Sequence, residues 1–313
     1  MSGSMVYGSR LARGLALLAV TALAGLASTT AAAAAHEAFA TSDAAVAALV
    51  SATKVGDIER LKALFGPGAE DLVDSGDPVQ DAHDRKAFVS LYKARHRLVA
   101  DGADRRLLIV GQKDFTLPTP LVHTAEGWRF DGAAGAQEVI YERIGRNELD
   151  AIAVLNGAVE AQLEYRRLNP EHRTPSVYAS HFVSEPGRRN GLYWPTGAKE
   201  KPSPAGALVA AAADEGYDSI AKVPYRGYYF HLLKGQGPAA AGGAKSYEVD
   251  GGLAAGFAFV AWPAQYRASG VMTFIVNQEG VIYQKDLGDD TEATVKAMQA
   301  FDPGAGWVAL DTP

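Results

Sequence analysis

Apolar positions between residues 43 and 65 recur at helical spacing: Val46, Leu49 and Val50, then Ile58, Leu61, Leu64 and Phe65. Gly56-Asp57 divides this run into two helices, with Asp57 as N-cap of the second. Gly66-Pro67-Gly68 stops it. Residues 69–84 are acidic and read as turns. Residues 86–99 predict a further helix with Phe88, Leu91, Tyr92 and Leu98 on its apolar face. The pattern then shortens to that of strands. Residues 106–110 predict one strand, and residues 120–123 and 128–131 predict a hairpin about Glu126-Gly127.

Residues 147–168 carry the clearest helical pattern. Leu149, Ile152, Val159 and Leu163 make one stripe; Val154, Ala158, Ala161 and Tyr165 make its neighbour. Two adjacent stripes describe a helix buried on a wide face, read here as a connector that Asn169-Pro170 ends. Residues 169–205 are rich in Pro, Gly and Arg. They predict an ordered loop, because they also hold Tyr178, Phe182, Tyr193 and Trp194. A short helix is expected over 205–215, ended by Gly216. Residues 225–288 then contain three aromatic and β-branched runs divided by glycine-rich turns, the pattern of an antiparallel sheet. Asp289-Asp-Thr-Glu292 reads as a capping box opening a last helix to Phe301.

The expected fold class is α+β. N-terminal helices and a curled antiparallel sheet resemble NTF2-like and cystatin-like domains, on element order and the Gly-Trp-Arg-Phe run at 127–130. A connecting helix follows, then a C-terminal antiparallel sheet with short flanking helices. The expected divisions are a signal peptide at 1–35, an α+β domain at 36–143, the connecting helix at 144–168 and a loop-rich sheet domain at 169–313.

The signal peptide is read from Arg10 and Arg13, a short apolar run to Ala27 and the alanines at 31–35. The expected location is periplasmic or secreted, after cleavage near Ala35. No later run predicts a transmembrane segment. The chain has 313 residues, 48% hydrophobic and 21% charged, which is enough apolar material for a core. Its net charge of -6 argues against nucleic acid as a partner. The absence of cysteine removes disulfides and zinc-thiolate sites.

Several motifs run through the whole chain after residue 36. Tyr141-Glu-Arg-Ile-Gly-Arg-Asn-Glu-Leu149, Gly191-Leu-Tyr-Trp-Pro195, Gly227-Tyr-Tyr-Phe230 and Met272-Thr-Phe-Ile-Val276 are four of them. With Ser203-Pro-x-Gly206 and Gly242-Gly-Ala244, they resemble a family of exported bacterial proteins, domain-of-unknown-function family 2950. That resemblance implies a periplasmic protein and brings no catalytic residue across. Asn190 departs from the family pattern, which has Asp before this glycine; Asn tolerates the same turn. Within 225–288, the order of strands also resembles the C-terminal sheets of pilins and pseudopilins, without their long apolar N-terminal helix.

No catalytic constellation stands out. His172, His181 and His231 lack metal-ligand spacing, and the acidic run Asp71, Asp74, Asp77, Asp81 and Asp84 lacks a calcium-loop pattern. Neither a metal nor a cofactor is expected. Ser203 lies in Pro-Ser-Pro rather than on a nucleophile elbow, and Gly242-Gly243 is too short for a phosphate loop. The candidate binding set is Arg188, Arg189, Tyr193 and Trp194 with Tyr228 and Tyr229. Guanidinium groups beside aromatic faces suit a carbohydrate, a peptide or an anionic polymer. Core packing is the simpler explanation of the same aromatics, because buried aromatic anchors are common in cores. The leading expectation is a non-catalytic protein that binds an envelope protein or polymer. A hydrolase using Glu148 or Asp286 beside a histidine is the alternative, and a structural pilin-like envelope module is a third reading.

Overall fold

Thr41 accepts a hydrogen bond from Ala44 N and opens α1 (Ser42–Val55), which closes on Gly56 at φ 72°. Asp57 accepts from Arg60 N to cap α2 (Ile58–Phe65), as its position predicts. The computed structural model describes residues 36–197, 199–217 and 223–310. The signal peptide expected at 1–35 lies outside these residues.

Residues 69–84 are not only turns. They form α3 (Glu70–Val73) and the start of α4 (Pro78–Ala94). Asp77 caps α4 by accepting from Val79 N and Gln80 N, and Pro78 stands in the first turn, where its missing N–H costs nothing. The helix expected to Val99 ends at Ala94. Residues beyond it pair as β1 (His96–Ala100) with β2 (Arg105–Val110), placing Leu98 opposite Leu108. Tertiary pairing thus overrides the helical spacing of Leu98. β3 (Phe115–Thr116) lies on β2, and the predicted hairpin is β4 (Leu121–Thr124) with β5 (Gly127–Phe130). This sheet packs on α1 and α2 around Leu49, Leu64, Leu108, Leu121 and Phe130.

The connecting helix is longer than its stripes suggest. α5 runs from Gly132 to Leu168, 37 residues, or about 55 Å at 1.5 Å per residue. Its first turns contain Gly132 and Gly135, which read as breakers. Both are buried, and a Cβ at Gly135 would collide with the carbonyl of Pro118, so glycine here permits close approach. The stripe of Val154, Ala158, Ala161 and Tyr165 is buried as expected. In the other stripe, Val159 is buried but Leu149 and Leu163 are exposed, so the buried arc is narrower than two full stripes.

After α5, the segment expected as loop contains two short parallel strands, β6 (His181–Val183) and β7 (Gly191–Tyr193). α6 (Gly206–Asp214) follows, close to its expected bounds. The aromatic runs form β8 (Tyr228–Leu233), β13 (Ala258–Pro263) and β14 (Met272–Asn277). Between β8 and β13 lie two small ribbons: β9 (Gly235–Gln236) with β10 (Lys245–Ser246), and β11 (Glu248–Val249) with β12 (Gly252–Leu253). β15 (Tyr283–Asp286) and β16 (Val308–Ala309) complete an antiparallel sheet of order β16-β15-β14-β13-β8. The fold is therefore α+β, with this sheet open at β8.

The capping box expected at Asp289 does not form. Gly288–Asp290 is a 3-10 turn, and α7 (Thr291–Ala297) begins after Asp290 without a side-chain cap. Glu292 reaches forward to Lys296 instead of back, and the Thr291 hydroxyl donates to Gly288 O. α7 stops at Ala297, short of Phe301. The described residues form one compact unit.

Candidate functional site

Arg189 and Trp194 meet. The guanidinium lies 5.6 Å from the indole centroid and 3.5 Å from Glu200. Trp194 is buried edge-on against Tyr165, whose hydroxyl donates to Arg189 O at 2.6 Å. Burial pushes that phenol well above its ordinary value, so it remains a donor. A cavity of about 370 Å3 opens beside the pair, lined also by His172 and Lys201.

The other four candidates do not line this cavity. Arg188 is exposed and pairs with Glu171 at 3.2 Å and Glu185 at 2.9 Å. Tyr193 is half-buried against the C-terminal core. Tyr228 is fully buried beside Phe274, its hydroxyl donating to Met272 O. Tyr229, next along β8, stacks on Trp262 at 5.4 Å. Neighbouring strand residues point to opposite faces, so Tyr228 and Tyr229 could not share one site facing a single side of the sheet.

A larger cavity, about 820 Å3, lies elsewhere. One wall is Ser180 to Glu185 around β6, another is Phe230 to Leu233 of β8 with Lys234 beyond it, and Met298 and Gln299 complete the lining. Consecutive residues of both parities line each wall, so each wall is the edge of a strand and not one of its faces. Phe182 anchors β6 there by packing on Phe259 of β13 at 5.0 Å.

The backbone bonding of the two edges follows from the registers. Gly227 O accepts from Ala264 N, and Tyr229, His231 and Leu233 continue the ladder to β13 at alternate positions. The intervening residues turn their N–H and C=O outward. At one end Tyr228 uses them on Tyr225, and at the other Lys234 O accepts from Tyr247 N. Among the described residues, Phe230 and Leu232 have no backbone partner for theirs. On β6, Ser180 N and Ser184 N donate to Asn190 O and Tyr193 O on the β7 side. His181 and Val183 therefore present their backbone groups to the cavity.

Side chains add little titratable chemistry. His181 Nδ1 is 2.9 Å from Ser180 Oγ, which also reaches Asn190 O at 3.2 Å. Desolvation and then the charge of Lys234 hold His231 below its ordinary value, so it is neutral at pH 7. Glu148 accepts from Val271 N and Met272 N, and Asp286 from Tyr266 and Gly288 N. Among the described residues neither is hydrogen-bonded to a histidine, so the acid/base pairing expected of them is absent there. No group of three or more His, Asp or Glu among these residues is placed to hold a metal ion.

Sequence reasoning singled out His181 and His231 but missed the strand edges around them. β6 is three residues long, too short to show a period. The openness of β8 is a property of sheet order, which alternation along one strand does not encode.

A family model described as "Protein of unknown function (DUF2950)" matches residues 36–310. No curated protein and no solved structure matches the chain. No helix among the described residues is long and apolar enough to cross a membrane.

Proposed function

The chain belongs to the DUF2950 family, and from that premise we propose that it is an exported, non-catalytic binding protein. It captures an extended polypeptide segment of an envelope partner between β6 and β8. The supporting observation is that two strand edges face one cavity, each with backbone donors and acceptors that no described residue uses. An inserted strand would bond to both walls and join β7-β6 to the five-stranded sheet. This is strand addition, in which main-chain bonds supply affinity and alternate side chains supply selectivity. Open edges also template unwanted pairing, and natural proteins cover or blunt them. Here the cover is β6 itself, held one groove away.

The test is panning of a displayed library of short random peptides against the protein and its Val183→Pro variant. Val183 is exposed and its N–H faces the groove, so proline removes a groove donor without touching the β6–β7 bonds. Peptides that bind the parent and lose about tenfold or more in affinity for the variant are the expected result. Equal binding to both proteins would refute strand capture.

Hydrolysis has one observation in its favour, the contact of Ser180 Oγ with His181 Nδ1. The hydroxyl has a single proton, and Asn190 O competes for it. Peptide cleavage that stops in Ser180→Ala would place hydrolysis first.

A further inference from the structure

The N-terminal half holds a separate cavity, of about 220 Å3, unrelated to the strand groove. Its walls are apolar: Leu49 of α1, Leu61 and Phe65 of α2, Phe88 of α4, Leu117, and Val139 of α5. That volume equals roughly seven waters at about 30 Å3 each, yet the walls give water almost nothing to bond. The polar groups on them are mostly occupied. Asp81 accepts from Ser75 N and Oγ. Asp84 accepts from Gln80 and lies 3.6 Å from Arg146. Buried Arg143 donates to Asp71 O and Leu72 O, and the Thr53 hydroxyl to Leu49 O.

Two groups are left over. Thr119 Oγ1 is buried, with its residue 1% exposed, and has no hydrogen-bond partner among the described residues. The other is Arg85. Arg85 and Thr53 also line an adjoining cavity of about 310 Å3, together with Lys54, Lys86 and Lys93. Among the described residues none of these four cations forms an ion pair with a carboxylate. In a chain of net charge -6, four unpaired cations around one depression are a local reversal of sign, and such a concave patch of one sign concentrates opposite charge.

We propose that this half binds a single-chain anionic amphiphile. Its tail fills the apolar cavity and its carboxylate or phosphate head lies on Lys54, Arg85, Lys86 and Lys93. The junction at Thr53 and Arg85 is where tail and head would meet. Neither cavity alone implies this ligand class; the wall they share at Thr53 and Arg85 does. The site is separate from the β6–β8 groove, and either can fail without the other.

The experiment uses decanoate as probe, with decanol and inorganic phosphate as controls for tail alone and head alone. Saturable decanoate binding by calorimetry is expected, with decanol and phosphate at least about tenfold weaker. Lys86→Glu with Lys93→Glu reverses two exposed charges without touching the core. It should weaken decanoate about tenfold or more, leave decanol binding unchanged, and preserve the melting temperature of the free protein. Val139→Phe, which fills the tail cavity, should weaken decanoate and decanol alike. Decyl phosphate binding as decanoate does would confirm that the head is read by charge. Non-saturable uptake, or decanoate affinity unchanged in both variants, would overturn the proposal.

Discussion

Asp77 Oδ2 accepts a hydrogen bond from Tyr217 Oη at 2.8 Å, across 140 residues of sequence. The same oxygen accepts from Gly227 N at 2.8 Å, while Oδ1 caps α4. One buried carboxylate therefore serves a helix start, a phenol and the turn that leads into β8. Burial and then the Asp77 charge raise Tyr217 far above an ordinary phenol, so it donates at every working pH.

Tyr217→Phe should lower the unfolding free energy by about 1–3 kcal/mol, the cost of leaving a buried charged acceptor short of a donor. Urea denaturation measures it. A change below about 0.5 kcal/mol would mean that Gly227 N alone satisfies Asp77.

Trp194→Ala should destabilise by about 3–5 kcal/mol, as for other buried aromatic truncations. It removes the partner of both Tyr165 and Arg189. Arg188→Ala, at an exposed position, should stay within about 0.5 kcal/mol. Comparable melting points for both variants would contradict the core role of Trp194.

His231 should make the protein less stable in mild acid. Its folded value lies below the ordinary 6.5. Above 6.5 both states are neutral there, and the residue contributes nothing. As pH falls through 6.5 the unfolded chain takes the proton first, so stability is lost until the folded value is passed. His231→Gln should therefore flatten the fall in urea midpoint from about pH 7.5 to about pH 5. A parallel pH profile for variant and parent would remove His231 from the cause.

Gly135→Ala should destabilise although alanine is the better helix former. The added methyl would meet the carbonyl of Pro118, so α5 must shift. Gly157→Ala on the same helix meets nothing within 4 Å and should stabilise by about 0.5–1 kcal/mol. Thermal melts of the two variants should move in opposite directions.

Local chemistry carried much of the fold into view. Asp57, Gly56 and Gly66 sit at real helix ends because caps are decided within a few residues. The runs at β8, β13 and β14 are strands because aromatic and β-branched residues fill a sheet buried on both faces. The failures share a different cause. Leu98 is helical in spacing but pairs with Leu108 in a strand, and Gly135 looks like a breaker but lies where a chain crosses closely. Both depend on partners distant in sequence. The candidate aromatics divide for the same reason: Arg189 and Trp194 are joined by the packing of Tyr165, while Tyr228 is committed to Phe274 and Met272. A strand edge is harder still to read, because openness is a fact about which strand is absent.

The 37-residue helix α5 gives the molecule a mechanical character. Its early turns lie beside Phe65 and Ala69, and its later turns beside Trp194 and the sheet. Arg143, Asn147 and Glu148 bolt its middle to Asp71, Ser269 and Met272. A helix transmits axial force with little give, so the two cores are hung on one beam. Pulled from its ends, such a chain should yield as one event at high force, not as two in sequence.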